Sequence, residues 1–171
     1  MFGRHPRMIA LAVLVLAALF PAVVGAAGQG GQTSEAEAAA ESGEGMVWSG
    51  EAITFTKTDG ADPTVAENQD RITENVWITR SNEGGQIFNI KLRESPNKTE
   101  SPVGTLWARG TTDDLPNLDF APFRAAVGKP KTVAGVDLVM YLIEADAYVD
   151  VTFTSWSQEK EGGFSYERST K

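Results

Sequence analysis

Residues 136–156 read VDLVMYLIEADAYVDVTFTSW, and the two halves carry different hydrophobic patterns around a short connection. From Leu138 to Ile143 every position is apolar, as in a central strand covered on both faces. In the second half Val149, Val151 and Phe153 alternate with Tyr148, Asp150, Thr152 and Thr154, the period-two pattern of a half-buried strand. The intervening EADA is short enough for a hairpin, so the two halves are expected to lie antiparallel and adjacent. One residue breaks the pattern. The polar row ends in Trp156, which makes that ring either part of a ligand platform or part of a second packed layer.

The same period recurs along the chain, in short Thr-rich runs separated by turn residues. Residues 51–57 (EAITFTK) set Ile53 and Phe55 opposite Thr54 and Thr56. Residues 76–80 (VWITR) bury Val76 and Ile78, then SNEGG turns into residues 86–93 (QIFNIKLR), where Phe88, Ile90 and Leu92 share a face. Residues 103–109 (VGTLWAR) put Leu106 and Trp107 on opposite sides. After a stretch rich in Asp and Pro, FRAAV is expected to make one helical turn, stopped by Gly128 and Pro130. At the end of the chain SQEKEGG leads into FSYERST. The segments WITRSNEGGQIFN and WSQEKEGGFSY are therefore expected to share one hairpin geometry. The expected architecture is an all-β, single-domain antiparallel β-sandwich of about seven or eight strands, with the jelly roll among its forms.

The N-terminal region has a different composition. Arg4 and Arg7 precede an uninterrupted apolar run from Met8 to Phe20, followed by Pro21 and small residues, which is a signal-peptide pattern. Val24, Gly25 and Ala26 suit a signal peptidase, so residues 1–26 are expected to be removed and no stable membrane span to remain. Residues 27–45 hold no large apolar side chain and are expected to be a disordered acidic linker, with the β-sandwich domain at 46–171. Export puts the expected location outside the cytoplasm, in the periplasm or the extracellular space.

Cleavage there would remove His5, the chain's one histidine, and two of its 15 Lys and Arg residues, leaving 13 against 23 Asp and Glu, a net charge of −10. With no His and no Cys, disulfides, thiolate nucleophiles, imidazole bases and the usual zinc and copper sites are excluded. An acidic chain is a poor match for nucleic acid or anionic lipid. It suits neutral glycans or cations.

The segments AVGKPKTVAGVDLVMYLIEADAYVDVTFTSW and GGFSYERST resemble the C-terminal signature of a group of exported bacterial β-proteins mostly called uncharacterised. VWITR…GQIFN and TLWARGTT are similar to earlier parts of the same group. EADAYVD departs from the Asp-Ile-Tyr wording more usual there. The resemblance implies export and a β-fold; it brings no activity, cofactor or catalytic residue.

Trp48, Trp77 and Trp156 each fall in register with small or polar residues, and Trp156 shares its row with Tyr148 and Asp150. A flat ring flanked by Thr, Asn and Asp suits a sugar, since the ring stacks on C–H bonds while polar neighbours bond hydroxyls. The alternatives are a minor core, in which loops cover the rings, and self-association, in which a second copy covers them. The loop TDGADPTVAENQD offers Asp59, Asp62 and Asp70 as calcium ligands, although its spacing is not that of an EF-hand and its Asp-Gly and Asp-Pro pairs are also good turn formers. No cofactor is required, and calcium is the one the sequence offers. Catalysis without His or Cys must rest on carboxylates, Tyr, Lys, Arg or Ser, and Asp150 with Tyr148 is the best pair available. No motif supports it. The expected function is non-catalytic binding of a neutral polysaccharide or cell-surface component, with a structural or self-associating envelope protein as the alternative and the oligomeric state open.

Overall fold

The computed structural model describes residues 45–171, and over them the chain is an all-β sandwich. The signal peptide expected at 1–26 and the linker expected at 27–45, Gly45 apart, lie outside the described residues. Nine strands form among those described: β1 (Met46–Trp48), β2 (Gly50–Lys57), β3 (Asp70–Arg71), β4 (Trp77–Arg80), β5 (Ile87–Asn89), β6 (Thr105–Arg109), β7 (Asp137–Leu142), β8 (Ala147–Trp156) and β9 (Phe164–Thr170). The larger sheet runs in the order β2-β9-β8-β7-β6 with β1 beside β8, and the smaller is β3-β4-β5. All pairs are antiparallel except β1 with β8. Strands β6 to β9 follow one another as a meander, and β2 returns to the free side of β9; a jelly roll would interleave two Greek keys.

The predicted central strand is central. β7 lies between β6 and β8, with Leu138, Met140 and Leu142 in one core cluster and Val139 and Tyr141 in another. The main core fills the space between the sheets: Ile78 and Ile87 of the small sheet meet Trp107, Val149, Val151, Phe153, Phe164 and Tyr166 of the large one. Each such side chain contributes about 1.5–3 kcal/mol when fully buried. A short helix α1 (Phe123–Val127) packs Phe123 edge-on against Trp107 at 5.0 Å between ring centroids. The other face of the large sheet is covered by the Asp- and Pro-rich segment, whose Leu115, Leu118 and Phe120 pack on Val139, Tyr141 and Tyr148.

The expected strand over 86–93 stops at Asn89. The buried Asn89 side chain accepts from the Trp77 and Lys91 backbone amides and donates to the Asn75 and Val103 carbonyls, taking up bonds a continuing ladder would use. Leu92 falls in the following turn and is exposed.

The register of β8 resolves the anomaly at Trp156. Phe153 pairs with Tyr166, but Ser155 pairs with Ser165 and Trp156 with Phe164, so a bulge falls between Phe153 and Ser155. One extra residue reverses the side-chain alternation. Trp156 therefore leaves the row of Tyr148 and Asp150 and joins the core side, packing against Phe123, Phe153 and Phe164.

The two sheets are also joined by a buried polar staple. Asp70 of β3 accepts from Arg168 Nε at 2.6 Å, Arg168 Nη2 at 2.9 Å and the Tyr166 hydroxyl at 2.5 Å, all from β9. Burial, reinforced by the Asp70 charge, pushes the Tyr166 hydroxyl well above the ordinary tyrosine range.

Candidate functional site

The hairpins β4–β5 and β8–β9 meet turn to turn, and a cleft opens beside the contact. At Gly162, which has a φ of 75°, an added Cβ would collide with the Asn82 side chain and the Ser81 carbonyl, so glycine is what lets the turns close on each other. Buried Lys57 ties them further, donating to Asn82 Oδ1 at 2.9 Å and the Gly162 carbonyl at 3.2 Å. Arg80, at the end of β4, crosses to the second hairpin and donates from Nη1 to the carbonyls of Ser157 at 2.9 Å and Gly163 at 2.8 Å. Its guanidinium carbon stands 4.1 Å from the centroid of the Trp156 ring, a cation–π contact.

The resulting cleft has a volume of about 460 Å³, and Arg80 and Trp156 form part of its wall. Four further cations line it: Lys98, Arg124, Lys129 and Lys131. Each comes from a segment fixed by its own local structure. Lys98 sits in a loop drawn onto the first turn by Gly85, whose Cβ position is 2.9 Å from Pro96, and held by buried Gln86, which donates from Nε2 to the carbonyls of Asn97 and Glu100. Arg124 is carried by α1 beside the anchoring Phe123. Gly128, with a φ of 74°, ends α1 and redirects the chain into Lys129 and Lys131.

Arg80 is the unusual member of this group. It is 2% exposed, its Nε has no hydrogen-bond partner, and no carboxylate pairs with it among the described residues. Burial pulls its guanidinium below the ordinary arginine range, and the charge of Asp59 offsets only part of that effect. Lys98, Arg124, Lys129 and Lys131 likewise make no ion pair among the described residues, and Glu159 is the one acidic residue in the wall. The arrangement concentrates positive charge in a concavity of an acidic chain.

The residues singled out from sequence are distributed as follows. Trp156 is half-buried and lines the cleft, with a cation over its ring. Trp77 is half-buried elsewhere in the small sheet, with Arg71 at 4.1 Å and Lys91 at 4.5 Å from its ring centroid. Trp48, expected on a polar face, is in the main core at 8% exposure. It belongs to β1, beside Val149, and the break at Ser49 together with a register shift between Gly50 and Ile53 separates its alternation from that of β2. Tyr148 is corrected for another reason: it keeps its place in the row of Asp150, but that row is covered there and the ring is fully buried, stacked on Tyr141 at 4.9 Å under Phe120. Asp150, in the same row, accepts from the Thr112 amide at 2.8 Å and the Thr112 hydroxyl at 2.6 Å, fastening the covering segment to the sheet.

Asp70 is committed to Arg168 and Tyr166 inside the sandwich, while Asp62 accepts from the backbone and hydroxyl of Thr64 in an exposed turn. Those two hydrogen bonds, the backbone one foremost, hold the Asp62 carboxyl below the usual range. Asp59 faces Glu161 instead, and its charge, with a hydrogen bond between the two carboxyl groups, pushes Glu161 up. Among the described residues no group of three or more Asp, Glu, His or Cys is arranged to hold a metal ion. No helix among them is long and apolar enough to cross a membrane.

Sequence reasoning missed the five cations of the cleft. They are scattered between positions 80 and 131, and the one local signal is Lys129-Pro130-Lys131. The chain matches no family model, and no curated protein or solved structure matches it either.

Proposed function

We propose that this is an exported, non-catalytic binding protein whose ligand, a cell-surface glycan, is held in the cleft beside Trp156. The observation that carries the reading is the convergence of a half-exposed tryptophan, five cations and the polar side chains of Ser157 and Gln158 in one concave site of about 460 Å³. Ligand sites are concave, with a few convergent polar groups on an otherwise rigid frame. The two hairpin turns supply that frame. The export pattern at 1–26 supports the location, and N-terminal sequencing of the secreted product is its check: a first residue of Ala27 or Gly28 is expected, and an intact Met1 in the exported fraction contradicts it.

Binding is tested by tryptophan fluorescence with a panel of polysaccharides. A glycan that shifts the emission and protects it from acrylamide in the native protein, but not in Trp156→Ala, supports the cleft. A panel that leaves emission and quenching unchanged defeats the binding reading.

A second reading, self-association, is favoured by one edge of the large sheet. Among the described residues β2 is paired on one side alone, by β9, and residues 51–54 are exposed, with Ile53 at 42%. At the opposite edge β6 is capped by a bridge between Trp107 and Ala121. An open edge with an exposed apolar residue templates strand pairing. Under this reading the sedimentation coefficient rises with concentration and Ile53→Lys abolishes the rise; a concentration-independent monomer rules it out.

A further inference from the structure

We propose that the Trp156 cleft selects a polyanionic glycan, one bearing carboxylate or sulfate groups along its chain, over a neutral one. This rests on the reading that the cleft is the ligand site. The chain holds 15 Lys and Arg against 23 Asp and Glu, yet Arg80, Lys98, Arg124, Lys129 and Lys131, a third of all its cations, share one concavity with, among the described residues, a single acid. Side chains on an acidic protein have carboxylates available to pair with. These five have none among the described residues.

Arg80 makes the argument specific. A buried guanidinium with no carboxylate bonded to it loses hydration that two carbonyls and an aromatic ring replace only in part. The unpartnered Nε belongs to a residue in the wall of an open cleft, where an incoming carboxylate or sulfate adds the negative charge that Asp59 supplies only in part. The other four cations are exposed, on long flexible side chains contributed by three further segments, so the positive charge is distributed around the opening. Distributed charge suits a ligand with several spaced anionic groups better than one compact phosphate.

Nucleic acid is the less favoured polyanion. Single-stranded binders stack bases on open aromatic faces, whereas Trp156, the one aromatic side chain lining this cleft among the described residues, has Arg80 over its ring. The chain's net negative charge opposes long polymers at a distance, but that repulsion is screened beyond about 8 Å at physiological ionic strength, inside which the local cations dominate. A saccharide that needs only hydrogen bonds and charge is compatible with both conditions.

The test is isothermal titration of the purified protein with four probes: polygalacturonate, dextran sulfate, unsubstituted dextran and oligothymidylate, at 50 and 200 mM NaCl. Expected are binding of one or both anionic glycans, a loss of roughly 10- to 50-fold in affinity between the two salt concentrations if about three or four charges are neutralised, and no binding of dextran. Carboxylate and sulfate sources are separated by the first two probes. The double variant Lys129→Glu/Lys131→Glu, at exposed positions, is expected to weaken binding by at least tenfold with an unchanged melting temperature. Dextran bound in preference to its sulfated form overturns the anionic assignment and leaves the binding reading standing. Silence with all four probes and with a wider glycan panel removes both. Oligothymidylate bound as tightly as the glycans overturns the glycan source, and anionic binding unaffected in the double variant overturns the cleft as its site.

Discussion

The protein buries two arginines, Arg168 and Arg80, and treats them in opposite ways. Arg168 is 7% exposed and is gripped by Asp70 through both Nε and Nη2, with Tyr166 completing the carboxylate's shell. Arg80 is 2% exposed and has two carbonyls, a tryptophan ring and, among the described residues, no bonded carboxylate. Burial lowers the affinity of both for their protons; at Arg168 the Asp70 hydrogen bond and charge outweigh it and the net direction is up, while at Arg80 the direction is down. One charge is neutralised inside the fold and joins the two sheets. The other is held in place but left electrically open, at the wall of the cleft. The difference separates a charge neutralised by a bonded carboxylate from one that has only carbonyls and a ring in contact with it.

The comparison is broken most forcefully at Asp70. Asp70→Ala leaves Arg168 as an uncompensated buried cation and the Tyr166 hydroxyl without its acceptor, and is expected to cost about 3–5 kcal/mol in urea unfolding. Arg80→Met removes a cation that has no carboxylate to strand. It loses two hydrogen bonds to carbonyls but relieves the desolvation of the charge, so a smaller loss, about 1–2 kcal/mol, is expected. Equal losses for the two variants would show that Arg80 is compensated as fully as Arg168, and the contrast would fail.

How much of this was legible from the chain depends on the range of the interaction concerned. β7 and β8, their hairpin, the two-faced burial of β7 and the helical turn at FRAAV follow from local pattern, and the structure contains them. β1 and β3 do not, because three and two residues are too few for a period to register. Parity puts Tyr148 on the row of Asp150, where the structure has it, but parity says nothing about what covers a row. The cover is the Asp- and Pro-rich segment, whose few apolar residues Leu115, Leu118 and Phe120 are irregularly spaced. At Trp156 parity itself fails, since the bulge after Phe153 depends on pairing with β9. The cleft was the least legible feature. Its cations come from segments up to 51 positions apart, each placed by its own local structure, and the overall acidity of the chain pointed away from a basic site.

Lys57 sharpens the contrast at intermediate size. It is 1% exposed, and burial, followed by the neighbouring positive charge of Arg80, lowers its pKa from the ordinary lysine value of 10.5. The unfolded chain therefore holds this proton more tightly than the folded one. Below the folded pKa the penalty is present in full; as pH rises from there to 10.5 it is relieved, so this group's contribution to stability increases with pH. Replacing Arg80 by Met removes one of the two causes. The stability difference between the native protein and Lys57→Met is expected to move in favour of the native protein from pH 8 to pH 10, and to move less in the Arg80→Met background. A difference that is flat with pH in both backgrounds would mean that Arg80 and Lys57 do not sense each other, and that the positive charge at this end of the sandwich is better screened than its geometry implies.

The smallest effect is expected at the Asp59–Glu161 pair. Glu161 is exposed, and its carboxyl is raised from the ordinary 4.5 chiefly by the charge of Asp59. A carboxyl whose folded pKa lies above its unfolded one loses stability as pH rises through that interval: below 4.5 both states are protonated, and above the folded pKa the repulsion acts in full. Asp59→Asn should therefore stabilise the protein slightly at pH 7 and leave it unchanged at pH 3, as read from melting temperatures. It also removes a negative charge that raises the pKa values of Lys57 and Arg80. If Asp59 serves those cations more than it strains Glu161, the variant will be destabilised at pH 7 instead. In that case the Arg80 charge is partly answered from within the fold at long range, and the distinction from Arg168 becomes one of degree.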